Sequence, residues 1–268
     1  MNSILRLNAV RPLAKASLLR QGLGLLAGAA LLLSMNQAPA AFHLWRITEV
    51  YSSADGSVQF VEFTNNNSFG GQNALNGLTI TCSGSQGTHT YTFPANLPSS
   101  GTQNRAFVIG TTNLALVPGG VPPDYVFNSA PFLFLDNGAA NTINYASGTD
   151  SVAYTNLPSD GSSSLVRSGS GLMLSSTNSA RNFANGSNTI VPLRFSSSAK
   201  SGTNALLTFA TATGTNGTAG PNYAVQTNAS LSSVNWGTLT NVAGNGATKT
   251  VSDSLAAASV RFYRLRVP

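Results

Sequence analysis

Glu49 and Glu62 stand symmetrically about Asp55-Gly56 in the stretch ITEVYSSADGSVQFVEFTN (47–65), in a chain with eight acidic residues among 268. Two carboxylates so placed could act as an acid and a base, hold a cation, or be two side chains of an ordinary hairpin. Asp-Gly favours the tip of a two-residue hairpin loop. That register pairs Ala54 with Ser57, Tyr51 with Phe60, Val50 with Val61 and Glu49 with Glu62, and sets both carboxylates on the face of Ile47, Tyr51, Val58 and Phe60. Like charges directly opposite each other destabilise a sheet. A cation between them, a raised pKa on one, or a bulge that shifts the register would each relieve the repulsion. Backbone donors or a nearby arginine, such as Arg46 or Arg105, can satisfy both groups without a ligand, and that is the simplest expectation. Calcium is the cation to consider. It takes about six to eight oxygens, so loop carbonyls would have to contribute.

Catalysis would need partners that the sequence does not place. Glycosidases aim two carboxyls across a sugar-sized cleft, whereas a hairpin pair sits side by side on one sheet face. The two histidines, His43 and His89, have no Cys or His neighbour at zinc-ligand spacing, and no G-x-S-x-G elbow presents a serine. VPGGVPP and GTNGTAGPN lack the lysine and the strand-to-helix context of a phosphate loop, and read as turns. Asp55, Asp124, Asp136, Asp150 and Asp160 mostly adjoin turn residues, where a carboxylate caps its own backbone. DNGAAN (136–141) is one further loop to consider for calcium. Of the two tryptophans, Trp45 is the candidate for stacking on a sugar or for a place in the core, and Trp236 fits the core of a sandwich.

The elements that position these residues begin after residue 40. Arg6, Arg11, Lys15 and Arg20, then the apolar stretch Gly22 to Met35, then Ala38-Pro39-Ala40, follow the order of a secretory signal peptide at 1–40. The apolar stretch is shorter than the ~20 residues that span a bilayer, so we expect cleavage and no transmembrane segment after it. Four of the fourteen basic residues and none of the acids lie in that segment, which leaves +2 on the remainder. No Lys/Arg run could neutralise successive phosphates, so charge gives nucleic acid no support as a partner. Cys82 is the single cysteine, which rules out an internal disulfide. Its alternation with Ile80 in LTITCSG places it in a core.

Short runs rich in Val, Ile, Thr, Tyr and Phe follow at 43–51, 57–64, 77–82, 89–93, 105–110, 124–128, 131–135, 141–145, 150–154 and 163–167, separated by turn clusters. That spacing predicts an all-β protein of sandwich type, with a first domain at 41–190. Ser, Gly, Asn and Ala dominate 168–204, so a linker is expected at 191–202. Five further runs predict a second, small sandwich at 203–268 if Phe209, Tyr223, Trp236 and Tyr263 share a core.

FHLWRITEVYSSADGSVQFVEFT (42–64), the following LNGLTITC, RAFVIG (105–110) and DSVAYTNLPSDGSSSLVRSG (150–169) together resemble the lamin-tail domain of exported bacterial proteins, over about 42–190. SARNFANG departs from the Pro-Gly-x-x-Asn segment near which that family often ends. YAVQT (223–227), WGTL (236–239) and RFYRL (261–265) are similar to fibronectin-III-like repeats. The resemblances imply two antiparallel, immunoglobulin-like β-sandwich domains after a cleaved signal peptide. They further imply an exported, non-enzymatic protein of extracellular or cell-surface interaction, structural or adhesive, with a protein or polysaccharide ligand and no cofactor. A secreted hydrolase, or an accessory module of one that binds carbohydrate or nucleic acid, is the alternative from another class.

Overall fold

The computed structural model describes residues 42–127, 135, 140–214, 219–255 and 260–267, and Ala41–Pro268 form one compact unit. The expected signal peptide, nearly all of the run at 131–135, and most of DNGAAN with Asp136 lie outside the described residues.

Antiparallel strands dominate the described chain, and its helical content is confined to short 3-10 turns. The acidic hairpin, β1 (Arg46–Ser52) with β2 (Gln59–Asn65), is the centre of a six-stranded sheet. β9 (Ser163–Arg167) and β10 (Met173–Thr177) extend it beyond β1. β5 (Arg105–Gly110) and β6 (Tyr125–Val126) extend it beyond β2, the β5–β6 pairing being parallel. A four-stranded sheet of β3 (Thr79–Gly84), β4 (Gly87–Thr92), β7 (Asn141–Tyr145) and β8 (Asp150–Tyr154) completes the sandwich. Ile47, Val50, Val61 and Phe107 from one sheet share a core with Ile80, Cys82, Ile143 and Tyr145 from the other. Phe63 stacks on Phe107 at 4.6 Å between ring centroids, and Trp45 meets Phe107 edge-on at 4.7 Å. Both are arrangements that the ring quadrupole favours.

β2 is buried along its whole length, which a strand with one wet face cannot be. The outer face of its sheet is covered as well. Tyr51, Phe60 and Val108 pack there with Leu114 and Val117, and with Ala180 and Ile190 from the segment after β10. Residues 178–190 therefore lie as a strap over the hairpin. Gly119, in the turn Pro118-Gly119-Gly120, has φ +74°, and a side chain there would collide with the Thr189 carbonyl of the strap. Glycine supplies both the left-handed backbone and the room.

The second module pairs two three-stranded sheets. One holds β11 (Phe195–Ser201), β12 (Asn204–Ala210) and β15 (Thr248–Ser254). The other holds β14 (Gly237–Ala243), β13 (Asn222–Asn228) and β16 (Phe262–Arg266). Leu207, Phe209, Tyr223, Val225 and Val251 make its small core. Two expectations need correction here. The linker segment 191–202 contains β11, an edge strand paired with β12; FSSSAKS is exposed from its second residue on, so no apolar alternation marks it in the sequence. Trp236 stays outside the core cluster, half-buried beneath the Arg264 guanidinium at 4.6 Å. The modules also touch: the Tyr223 hydroxyl accepts from Ala212 N (2.7 Å) and donates to the Leu116 carbonyl (3.0 Å).

Candidate functional site

The hairpin register is the one its sequence predicts: Glu49 faces Glu62, Val50 faces Val61 and Tyr51 faces Phe60. Two details differ. A bulge at Thr48 pairs Ile47 with Phe63 and sends both into the core between the sheets, because one extra residue inverts the alternation. Ile47 is therefore not on the glutamates' face. The loop is also longer than two residues. Ser53 N donates to the Val58 carbonyl, and Asp55 Oδ1 accepts from Ser53 Oγ (2.7 Å), Ser57 N (3.0 Å) and Ser57 Oγ (2.8 Å).

Both carboxylates are buried under the strap, Glu49 at 2% exposure and Glu62 at 6%. Ser179 donates its N–H to Glu49 Oε1 (2.8 Å) and its hydroxyl to Oε2 (2.9 Å). Arg181 N donates to Glu62 Oε2 (2.7 Å), and the bulged Thr48 turns its hydroxyl to Oε1 (3.3 Å). Asp124 repeats the device, its Oδ2 accepting from Phe183 N (2.9 Å) and Val108 N (2.8 Å). Ser179, Arg181 and Phe183 are alternate residues. Their inward N–H groups, which a neighbouring strand's carbonyls would ordinarily receive, go to three carboxylates. Asn178 fixes the strap's ends, accepting from Ile190 N (2.6 Å) and donating to the Ser162 carbonyl (2.7 Å). Arg105 holds its middle, donating to the Phe183 carbonyl (2.8 Å) with its guanidinium 5.4 Å from that ring.

Burial pushes Glu62 up to about 7, the Glu49 charge opposite adds to the rise, and Arg181 with its N–H and the Thr48 hydroxyl oppose it. Burial raises Glu49 as well, against the pull of Ser164 and Ser179. The buried Ser164 hydroxyl favours the Glu49 carboxylate from β9 without a hydrogen bond of regular geometry. A proton retained on the pair and the donors of the strap thus offset the repulsion. Each of the four carboxylate oxygens already accepts an N–H or O–H, so the lone pairs a cation would need are engaged by the strap and Thr48. Among the described residues, no three His, Cys, Asp or Glu side chains gather in a metal-binding arrangement. Millimolar calcium should therefore leave the melting temperature unchanged. A calcium-dependent rise that Glu62→Gln removes would overturn this.

The remaining candidates are placed as follows. Trp45 is fully buried and donates Nε1–H to the Gln72 carbonyl (2.6 Å). This corrects the sugar-stacking expectation, because neither ring face is open. His89 lies on β4 in the opposite sheet and the exposed His43 precedes β1, so neither histidine is carried by the strands that hold the glutamates. Asp150 departs from the turn-capping expectation: buried, it accepts from Ile47 N (2.8 Å) and Arg167 Nη1 (2.8 Å). Asp160 does cap its own turn, and the Ser163 hydroxyl and the Ser163 and Ser162 N–H groups hold its carboxyl down to about 2.

One feature has no signal in the sequence, because its walls come from distant segments. A cavity of about 430 Å³ opens at the hairpin tip between Asp55, Asp160, Pro192 and the Leu265–Arg266 end of the second module. That volume is in the range of small-molecule sites. No family model, curated protein or solved structure matches the chain.

Proposed function

We propose that the chain is an exported, non-enzymatic binding or structural protein whose two β-sandwich modules, lamin-tail-like and fibronectin-III-like, act outside the cell or at its surface. A protein or polysaccharide is its ligand class. The observation that carries this reading is the use made of the acids. Glu49, Glu62 and Asp124 receive strap N–H groups and Asp150 receives an arginine, so the side chains best suited to acid–base chemistry hold the fold together instead. The basic, apolar, Ala-Pro-Ala order of residues 1–40 supports export. No helix among the described residues is long and apolar enough to cross a membrane.

The cavity favours a second reading, a secreted hydrolase or its accessory module, since Asp55 and Asp160 both line it. Incubating purified residues 41–268 with a polysaccharide panel and with DNA, with and without calcium, separates the two. Saturable binding without turnover is expected. Turnover that Asp55→Asn or Asp160→Asn abolishes would establish the hydrolase.

A further inference from the structure

Leu231 (68%), Val234 (87%) and Val260 (52%) are the exposed large aliphatic side chains among the described residues from β11 onward, Val191 (45%) lying ahead of it where its N–H is held by the Pro118 carbonyl. They emerge from one end of one sheet. β13 ends at Asn228 opposite Phe262, the first residue of β16, and Gly237 opens β14 opposite Thr227. The loop 229–236 that carries Leu231 and Val234 is a built structure. The Asn228 amide donates to the carbonyls of Ser233 (3.3 Å) and Asn235 (2.9 Å), and its Oδ1 accepts from Ser230 N (3.1 Å). Behind this tip come two half-buried aromatics, Trp236 and Phe262. Behind those come Arg264, whose guanidinium covers Trp236 and donates to Gln226 Oε1 (2.7 Å), and the exposed Arg266, two residues further along the same strand face.

Aliphatic tip, aromatic layer and arginine layer succeed one another as polarity does across a lipid–water boundary: acyl region, interface, phosphate. Charge points the same way. Residues 191–268 carry six cations and one acid, a net +5, while 41–190 carry four cations and seven acids, a net −3. The one acid of the second module, Asp253, is already engaged by Arg261 (2.6 Å) and by the Tyr263 hydroxyl (2.8 Å). We propose that the loop 229–236 and the start of β16 form a docking surface for an anionic lipid membrane. Val234 and Leu231 enter the acyl boundary, Trp236 and Phe262 sit at the interface, and Arg264 meets phosphates, while Arg266 stays at the cavity end of the strand. The net-negative first module is turned away by the same field. A polysaccharide chain offers nothing apolar enough to cover Val234 and Leu231, and the aliphatic, aromatic and cationic layers in that order match a lipid surface more closely than a protein face. The inference rests on the reading of the chain as an exported binding protein and adds a lipid surface to the protein or polysaccharide of that reading.

Trp45 is buried, and the chain has two tryptophans, so a change in emission reports Trp236. Residues 41–268 should co-sediment with phosphatidylglycerol–phosphatidylcholine vesicles, with a blue shift in emission, and much less with pure phosphatidylcholine. Added salt should weaken the binding. Leu231→Ser and Val234→Ser should each lower the partition coefficient about tenfold, with circular dichroism and melting unchanged. Arg264→Ala should lower it about fivefold on the anionic vesicles, and Arg266→Ala, at the cavity end of the strand, much less. Absence of co-sedimentation, equal binding to both vesicle types, or full binding by the double serine variant would overturn the docking surface. Saturable polysaccharide or DNA binding without vesicle binding also overturns it, and leaves the binding-protein reading standing. Substrate turnover overturns that reading alone.

Discussion

Raising the pH from 4.5 to about 7 should destabilise the protein by roughly 3 kcal/mol through Glu62 alone. The folded state raises the Glu62 pKa from an ordinary 4.5 to about 7, so between those values it holds a proton that the unfolded chain has released. Stability from this group is complete below 4.5 and is lost as the pH climbs through about 7. Glu49, also raised by burial, acts in the same direction. Urea unfolding across this range should give a falling midpoint. Glu62→Gln is the sharper test. Glutamine keeps a carbonyl oxygen for Arg181 N and offers its amide hydrogens to the Glu49 carboxylate directly opposite. The variant should therefore unfold later than the parent above pH 7 and match it near 4.5, with a flattened slope between. A variant less stable at every pH would show that the ionised Glu62 carboxylate is the form the strap requires.

The opposed glutamates were legible because a hairpin's register follows from its turn, and a bulge at Thr48 leaves that register intact on the side nearer the loop. The bulge itself was not legible. Thr48 has no backbone peculiarity in its residue type, and what stabilises its deviation arrives from 14 residues away at Glu62 and, through the neighbouring Ile47 N–H, from 103 residues beyond Ile47 at Asp150. The strap escaped for a related reason. Sequence periodicity reports strands that pair with strands, and SARNF is an extended segment whose donors go to carboxylate side chains. The Pro-Gly-x-x-Asn pattern that the family resemblance implies near the end of the first domain is absent from this stretch. Its absence reads differently once SARNFANG is seen clamped over Glu49 and Glu62.

Of the two tryptophans, Trp45 takes the core alternative of the two its sequence left open, and Trp236 departs from the core place expected of it. Trp45 is close to the expected cleavage site, which suggested exposure, but Gln72 supplies a carbonyl for its indole and Phe107 packs against its ring. Trp236 sits where a sandwich core tryptophan would, but the residues after the loop turn it toward Arg264 on the outer face of the sheet. Net charge misled by averaging. A sum of +2 after residue 40 conceals a −3 module joined to a +5 module, and this division appears only when the sheets assign residues to bodies. β10 and β11 were missed as polar edge strands, MLSST and FSSSAKS, whose exposed faces carry no period-two signal.

Asp150→Ala should cost roughly 2–4 kcal/mol, because it leaves the buried Ile47 N–H without an acceptor and the half-buried Arg167 guanidinium without its partner, although its residue type and its place beside a turn suggest little more than a local cap. Its carboxylate, 6% exposed, holds Arg167 at 2.8 Å and receives Ile47 N at 2.8 Å. The alanine variant strands both donors, and the Ile47 N–H is fully buried with its residue. Position makes the loss larger than one pair. β1 meets β9 at Glu49–Val166 and Val50–Leu165, and the next outward N–H along β1 belongs to Ile47, which Asp150 receives in place of a strand carbonyl. Asp150 thereby anchors the strand end at the point where Thr48 bulges, and the bulge is what lets Thr48 donate to Glu62. Loss of this anchor should loosen the arrangement that raises the Glu62 pKa. A double-mutant cycle with Glu62→Gln, read from urea midpoints above pH 7, should give a coupling of about 0.5–1 kcal/mol or more, and the single Asp150→Ala variant should show a shallower pH slope than the parent. Asp150→Asn, which keeps an acceptor for Ile47 N and loses the negative charge that faces Arg167, should fall between parent and alanine. A cost below about 1 kcal/mol with the pH slope unaltered would mean that water replaces the carboxylate at both donors, and that the bulge stands on its own backbone.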